Sequence, residues 1–349
     1  MQHSPRHKPA RLPMLALTAA IVAYCGTGDV HAANAGGKKT TRLATGIDMA
    51  YLELGMGEGE AVVFLHGYTD SALSFLATAE ALQRRHPGLD IYVLDQRGHG
   101  DSSMPTGATC AVDPGSCFTL RQMAEDVVAF LDDRKLERAH IVGHSLGSMV
   151  AQELALQWPG RVDSVVLIGT TGDTTRNPAV DGFLVPEIEV RWKAEFPAQA
   201  GRWPQDAYLR APGDTIAGAS EWIGGQWAVE AGAEPGLLQE TARIAGATPI
   251  GTWLGVLRNL PSFSNNGRLR ELSVPALVLW AEGDEVFPAA DQAAVRGALD
   301  AAAAAGRSRY QFKAYEGPGH NTQWAIPEAV AADIAAWLQL PELATLPPG

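Results

Sequence analysis

The chain has 349 residues, 46% of them hydrophobic and 19% charged. That supplies enough apolar material for a buried core and excludes a disordered or coiled-coil protein. Its 27 basic residues against 39 acidic ones give a net charge of −12, which repels phosphate backbones and sets nucleic acid aside as a partner.

Residues 1–32 read as a secretory signal peptide. Arg6, Lys8 and Arg11 precede a 14-residue apolar run, Leu12 to Cys25, and small residues follow up to Val30-His31-Ala32. The run falls short of the roughly 20 residues a membrane span needs, and no later segment reaches that length. Cleavage near Ala32 would remove Cys25 and leave Cys110 and Cys117. An even pair in an exported chain is expected to form a disulfide, and Pro114-Gly115 between them lets the chain turn back. The expected compartment is the periplasm or the medium.

After a small, polar tail (33–41), TRLATG and IDMAYLEL alternate as a half-buried hairpin does. AVVFLHG (61–67) and IYVLDQRG (91–98) are continuous apolar runs, as in strands covered on both faces. A helical stretch (72–86) lies between them, and a loop (98–118) follows. TLRQMAEDVVAFLDDRKL (119–136) has helical spacing, with Thr119 placed to cap it. AHIVGHS (139–145) is a strand running straight into the helix LGSMVAQELALQW, which Pro159 stops. VDSVVLIGT (162–170), PALVLWAEGD (275–284) and SRYQFKAYEG (308–317) are further strands, with helices at 289–305 and 327–338.

This alternation implies an α/β protein with a mostly parallel, doubly wound sheet and an antiparallel edge. Residues 33–170 and 265–349 form the core. Between them the rhythm breaks: residues 171–264 hold five of the nine tryptophans and read as an inserted helical cap.

Gly143-His144-Ser145-Leu146-Gly147 fits G-x-S-x-G at a strand-to-helix junction. There the glycines permit a tight turn that lifts the serine hydroxyl clear of the sheet, over a helix N-terminus. A serine hydroxyl needs a base, and of the nine histidines only His320 lies after this motif. His66, His99 and His144 lie on turns that shape the site. The base needs an anionic partner to hold its tautomer. Asp284, at the end of LVLWAEGD, fills that role, with Glu282, Glu285 and Asp173 as competitors. Two backbone N–H groups, those of Tyr68 after His66-Gly67 and of Leu146 after the serine, are the expected oxyanion donors.

The order Ser145, Asp284, His320, with HG at 66–67 and DQRGHGDS at 95–102, resembles the α/β-hydrolase fold superfamily over residues 45–340. The resemblance is to its capped esterase, lactonase and carbon–carbon hydrolase branch. It implies that the 95–102 segment is structural and that the insertion forms a lid over the acyl pocket. Two departures stand out: Ala281 replaces the usual glycine three positions before the acid, and an HGG-type oxyanion segment is absent. The serine excludes the aspartate-nucleophile haloalkane dehalogenases and epoxide hydrolases, while a cofactor-free haloperoxidase would use the same triad. The sequence carries no metal-ligand or nucleotide motif, so no cofactor is expected. The expected partner is a small-molecule ester or lactone, apolar and of small to medium size. The alternatives are carbon–carbon bond hydrolysis and a non-catalytic binding protein on the same scaffold.

Overall fold

Continuous apolar runs become the strands of one eight-stranded sheet. The structure, a computed structural model, describes residues 37–57 and 59–339, and the expected leader, residues 1–32, lies outside them. In chain order the strands are β1 (Lys39–Arg42), β2 (Asp48–Leu54), β3 (Ala61–Leu65), β4 (Asp90–Leu94), β5 (Ala139–His144), β6 (Val162–Ile168), β7 (Ala276–Ala281) and β8 (Tyr310–Tyr315). Across the sheet the order is β1-β2-β4-β3-β5-β6-β7-β8. The β1/β2 and β2/β4 pairs run antiparallel and the remaining pairs parallel. This is the expected doubly wound sheet with an antiparallel edge.

Side chains alternate between the two faces of the central strands and feed two apolar layers. In β3, Val62 and Phe64 face one side, packing with α1 (Leu73–Arg85) residues Phe75 and Leu82. Val63 and Leu65 belong to the other layer, with Phe130 and Met149. Burying a side chain such as Phe64 or Phe75 contributes about 1.5–3 kcal/mol.

Two sequence expectations are corrected. The tail reading of residues 33–41 fails at its end, because Lys39 and Thr40 pair with Tyr51 and Ala50 as part of β1. This strand is polar on both faces, so it shows no alternation; the backbone ladder and the Lys38 ion pairs to Asp95 and Asp101 hold it. The 98–118 loop is in part helical: α2 (Ala108–Val112) and a 3-10 turn (Pro114–Cys117) fill it. Five- and four-residue helices are too short to show a periodicity. Cys110 and Cys117 are joined by a disulfide across this segment.

Next comes α3 (Leu120–Arg134). Thr119 accepts the Gln122 N–H and the Gln122 side chain accepts the Thr119 N–H, a reciprocal capping box. Buried Arg97 makes two bonds to Asp126 on α3 and also donates to the Cys117 carbonyl. Breaking such a buried pair costs about 3–5 kcal/mol. The helix α4 (Leu146–Gln157) follows β5 with no intervening loop.

Between β6 and β7 the chain is helical: a π-helical stretch (Val180–Arg191), α5 (Trp192–Glu195), α6 (Pro212–Thr215), α7 (Ala219–Trp222), a π-helical turn (Ile223–Trp227), α8 (Pro235–Ala247) and α9 (Ile250–Leu257). Trp192 and Trp253 are fully buried and pack edge to face. They share one apolar cluster with Met149 and Leu146 of the sheet side, so the insertion sits on the core and has no separate one. The described residues close with α10 (Ala289–Ala304) after β7, then α11 (Thr322–Ala325) and α12 (Pro327–Leu338) after β8. Among the described residues no helix is long and apolar enough to cross a membrane.

Candidate active site

The junction of β5 and α4 holds Ser145 at φ 51°, ψ −117°, a conformation that L residues rarely adopt. The flanking glycines make it possible. A Cβ at Gly143 would collide with the Gly147 carbonyl, and one at Gly147 would collide with the Leu65 carbonyl of β3. The turn is thus pressed between its own helix and the neighbouring strand, and the serine side chain is left pointing out.

Two loops at the same end of the sheet complete the cluster. His320, after β8, brings Nε2 to 2.9 Å from Ser145 Oγ. Its Nδ1 lies 2.9 Å from Oδ2 of Asp284, which follows β7. The other carboxylate oxygen of Asp284 accepts the N–H groups of Val286 and Phe287, each at 2.9 Å. Those bonds fix the carboxylate. Asp173, a competitor for the role, is held instead by Thr175 and Ser264. The three expected residues therefore converge, although 139 and 36 positions separate them in the chain.

Several unused histidines shape this end of the sheet, as their turn positions suggested. Burial holds the His144 ring neutral, its pKa well below the usual histidine range. Its Nε2 donates to the His320 carbonyl at 3.1 Å. His66 is pushed down to about 4 and His99 to about 3, chiefly by burial. His66 Nε2 accepts the Gln96 N–H, and the two rings meet edge to face at 5.0 Å.

The turn after β3 lies against the elbow. A Cβ at Gly67 would stand 2.9 Å from His144 Nδ1 and 3.5 Å from Ser145 Cβ. Tyr68 follows, with its hydroxyl donating to the Trp253 carbonyl and its ring edge-on to Trp227 and Trp253. Its side chain is thus committed to packing. Leu146 opens α4, and the first N–H groups of a helix have no intrahelical acceptor.

Ser145, His320, Tyr68 and Leu146 border a cavity of about 700 Å³, a size suited to a small organic molecule. Its walls are mostly apolar, with Met149 from α4, Val180, Phe183 and Leu184 from the insertion, and Phe287. Its charged groups are Asp70, Glu230 and Glu285, and neither lysine nor arginine lines it among the described residues. Burial raises Asp70 to about 7.

Two contacts made by the insertion have no signature in the sequence. Trp227 Nε1 donates to Thr69 Oγ1 at 2.8 Å, next to Tyr68. Glu230 accepts the N–H groups of Gly319 and Asn321, at 2.7 and 2.9 Å, on either side of His320. Nothing in the local pattern around Trp227 or Glu230 marks them, because their partners lie about 90 and 160 residues away. Among the described residues no cluster of histidine, cysteine or acidic side chains could hold a metal ion.

A family model for the alpha/beta hydrolase fold matches residues 60–325. The chain belongs to that family. Among curated relatives, the chain is 36% identical over 141 residues to the dihydrolipoyllysine-residue acetyltransferase component of the acetoin cleaving system of Cupriavidus necator. That match takes in 40% of this chain and 34% of the relative, so it spans about a third of that protein's length. A candidate carbamate hydrolase, RutD, of Azorhizobium caulinodans is 27% identical over 233 residues, covering 66% of this chain and 76% of that protein. Among solved structures, a thermophilic esterase from Thermogutta terrifontis superposes with a TM-score of 0.64 at 20% identity, covering 88% of this chain and 99% of that one. The enol-lactonase from Burkholderia xenovorans gives 0.63 at 18% identity, covering 86% and 100%. These structural likenesses bear on the fold.

Proposed function

We propose that this protein is an exported serine hydrolase that cleaves a carboxylic ester or lactone through an acyl-enzyme. The observation that carries the reading is the relay Ser145–His320–Asp284, with both links at 2.9 Å, at the edge of an apolar cavity.

In this reading His320 takes the Ser145 proton as Oγ attacks the carbonyl carbon, and Asp284 stabilises the imidazolium that forms. The oxyanion lies between the N–H groups of Tyr68 and Leu146, both backbone donors in a water-poor site. His320 then gives its proton to the departing alkoxide oxygen, and the acyl group remains on Ser145. A water molecule repeats the sequence, with His320 as base, and releases the acid. Among the described residues the lining is acidic and holds neither lysine nor arginine, which favours a neutral substrate, because a carboxylate on it would meet Glu230 and Glu285. The apolar walls favour a small to medium apolar acyl group. A leader at residues 1–32 and a disulfide-bonded mature chain agree with export to an oxidising compartment.

Labelling by a fluorophosphonate tests the nucleophile. The wild type should be labelled at Ser145, and Ser145→Ala should lose both labelling and at least about 10⁴-fold in kcat. A mutant labelled as fully as the wild type would reject the assignment. Side-by-side turnover of p-nitrophenyl esters and a β-diketone should favour the ester; preference for the diketone would move the protein to carbon–carbon hydrolysis. Intact mass of the exported protein should show a start near Ala33.

A further inference from the structure

The acyl-transfer reading uses the two loops that carry His320 and Tyr68, yet it leaves open what holds them in register with the elbow. Asp284 orients the imidazole through its side chain. The backbone that presents His320 has its own requirement, because residues 316–319 are Glu-Gly-Pro-Gly and Gly317 stands at φ +103°. Apart from Pro318, which fixes its own φ, the glycines give this segment little intrinsic preference for one conformation.

Glu230 supplies the missing constraint from the insertion. One carboxylate oxygen accepts the N–H of Gly319 and the other that of Asn321, so the bonds bracket His320 on both sides. A carboxylate accepting two amides makes charge-assisted bonds, stronger than neutral ones. The approach is close: a Cβ at Gly319 would stand 3.0 and 3.1 Å from the two oxygens. Asn321 Nδ2 also donates to the Val229 carbonyl at 3.3 Å. Three residues earlier, Trp227 reaches the other loop through its bond to Thr69 and its ring contact with Tyr68. Thr69 stands at φ 60° and its hydroxyl donates to the Tyr68 carbonyl, so the indole bond acts directly on the turn that carries the Tyr68 N–H. Residues 229–231 line both the main cavity and a second, more open one of about 500 Å³ bordered by the π-helical turn and α8.

We infer that residues 227–230 form a strap by which the insertion sets the catalytic geometry, with Glu230 as a positioning residue for His320. The inference rests on the acyl-transfer reading above. Glu230 makes no hydrogen bond to Ser145 Oγ or to the imidazole; it acts on the two peptide groups that carry the imidazole. In Glu230→Gln one oxygen becomes an NH2 group facing an amide N–H, so one of the two bonds is replaced by a donor–donor contact. The loop loosens, and small displacements of a base cost rate steeply.

Glu230→Gln and Glu230→Ala should lower kcat for a short-chain p-nitrophenyl ester about tenfold, with KM within about twofold. The rate of labelling by a small fluorophosphonate should fall in parallel, since both need the aligned base. Glu230→Asp should restore part of the rate. In a His320→Ala background Glu230→Gln should change kcat by less than twofold, because the group it positions is gone. Gly319→Ala attacks the same contact from the loop side and should reproduce the defect, which supplies a test even where a Glu230 variant folds poorly. Labelling and kcat within twofold of wild type in folded Glu230→Gln, or a tenfold loss that persists in the His320→Ala background, would overturn the inference. Failure of Ser145→Ala to abolish wild-type labelling would instead overturn the acyl-transfer reading, so the two failures are told apart.

Discussion

The nucleophile elbow and the histidine loop meet at two hydrogen bonds, from Ser145 to the imidazole and from His144 to the His320 carbonyl, but are built in opposite ways. The elbow is specified within five residues: two glycines remove collisions with the helix and with β3, and the turn then forces Ser145 to φ 51°. The loop has no such internal logic. It is held from outside by Asp284 on the imidazole, His144 on the carbonyl and Glu230 on the flanking amides. A catalytic group can thus be positioned by local backbone sterics or by a set of distant hydrogen bonds, and the two constructions respond differently to substitution.

The sharpest expected contrast is in rate. Asp284→Asn keeps the shape of the loop but reverses what the imidazole can donate, so kcat should fall about 10⁴-fold with the fold retained. Thermal unfolding and steady-state kinetics on one preparation check this. A loss below about tenfold would mean that another group holds the base.

The next contrast is in stability, between two glycines. Gly147→Ala places a methyl against the Leu65 carbonyl, a backbone atom that cannot step aside, and should cost about 1–3 kcal/mol as overpacking does. Gly317→Ala meets nothing within 4 Å and suffers only from its positive φ, at about 1 kcal/mol. Urea unfolding of both variants decides it; equal costs would dissolve the distinction between an elbow fixed by sterics and a loop fixed by bonds.

The smallest effect concerns Asp70, beside the turn that both regions touch. Burial raises Asp70 to about 7, so the folded protein holds its proton where the unfolded chain has released it. That contribution is complete below about pH 4 and is lost as pH rises through 7. His66 and His99 act oppositely: kept neutral with values near 4 and 3, they contribute fully above about pH 6.5 and lose that contribution as pH falls. Asp70→Asn should therefore gain about 1–2 kcal/mol over the wild type at pH 8 and lose most of that gain at pH 5. Denaturant midpoints at the two pH values measure it, and a gain independent of pH would contradict the assignment.

Much of this was legible in the chain before any coordinates. Continuous apolar runs announced β3 to β7 because strands covered on both faces need apolar residues at every position. Thr119, placed to cap the helix, marked the start of α3. The strand-like pattern starts at Thr41, two residues inside β1, because Lys39 and Thr40 are polar and only the ladder identifies them. The short helices α2 and α11 were missed because four or five residues do not establish a period. Of the site, Ser145 could be read from its motif, and His320 from being the one histidine after that motif. Asp284 could be ranked above its neighbours only by position, and the fixing of its carboxylate by the Val286 and Phe287 amides came from the loop's fold.

By itself the amino-acid order determined the layered α/β architecture, the elbow at Ser145 and the residue types able to complete a relay, since these depend on periodicity, glycine placement and side-chain chemistry within short windows. Only the tertiary structure decided which carboxylate faces the imidazole, that Trp227 and Glu230 of the insertion bind the two active-site loops, and that no lysine or arginine among the described residues lines the cavity between them. Those outcomes depend on hydrogen bonds and packing between segments tens to hundreds of residues apart, whose geometry no local pattern encodes.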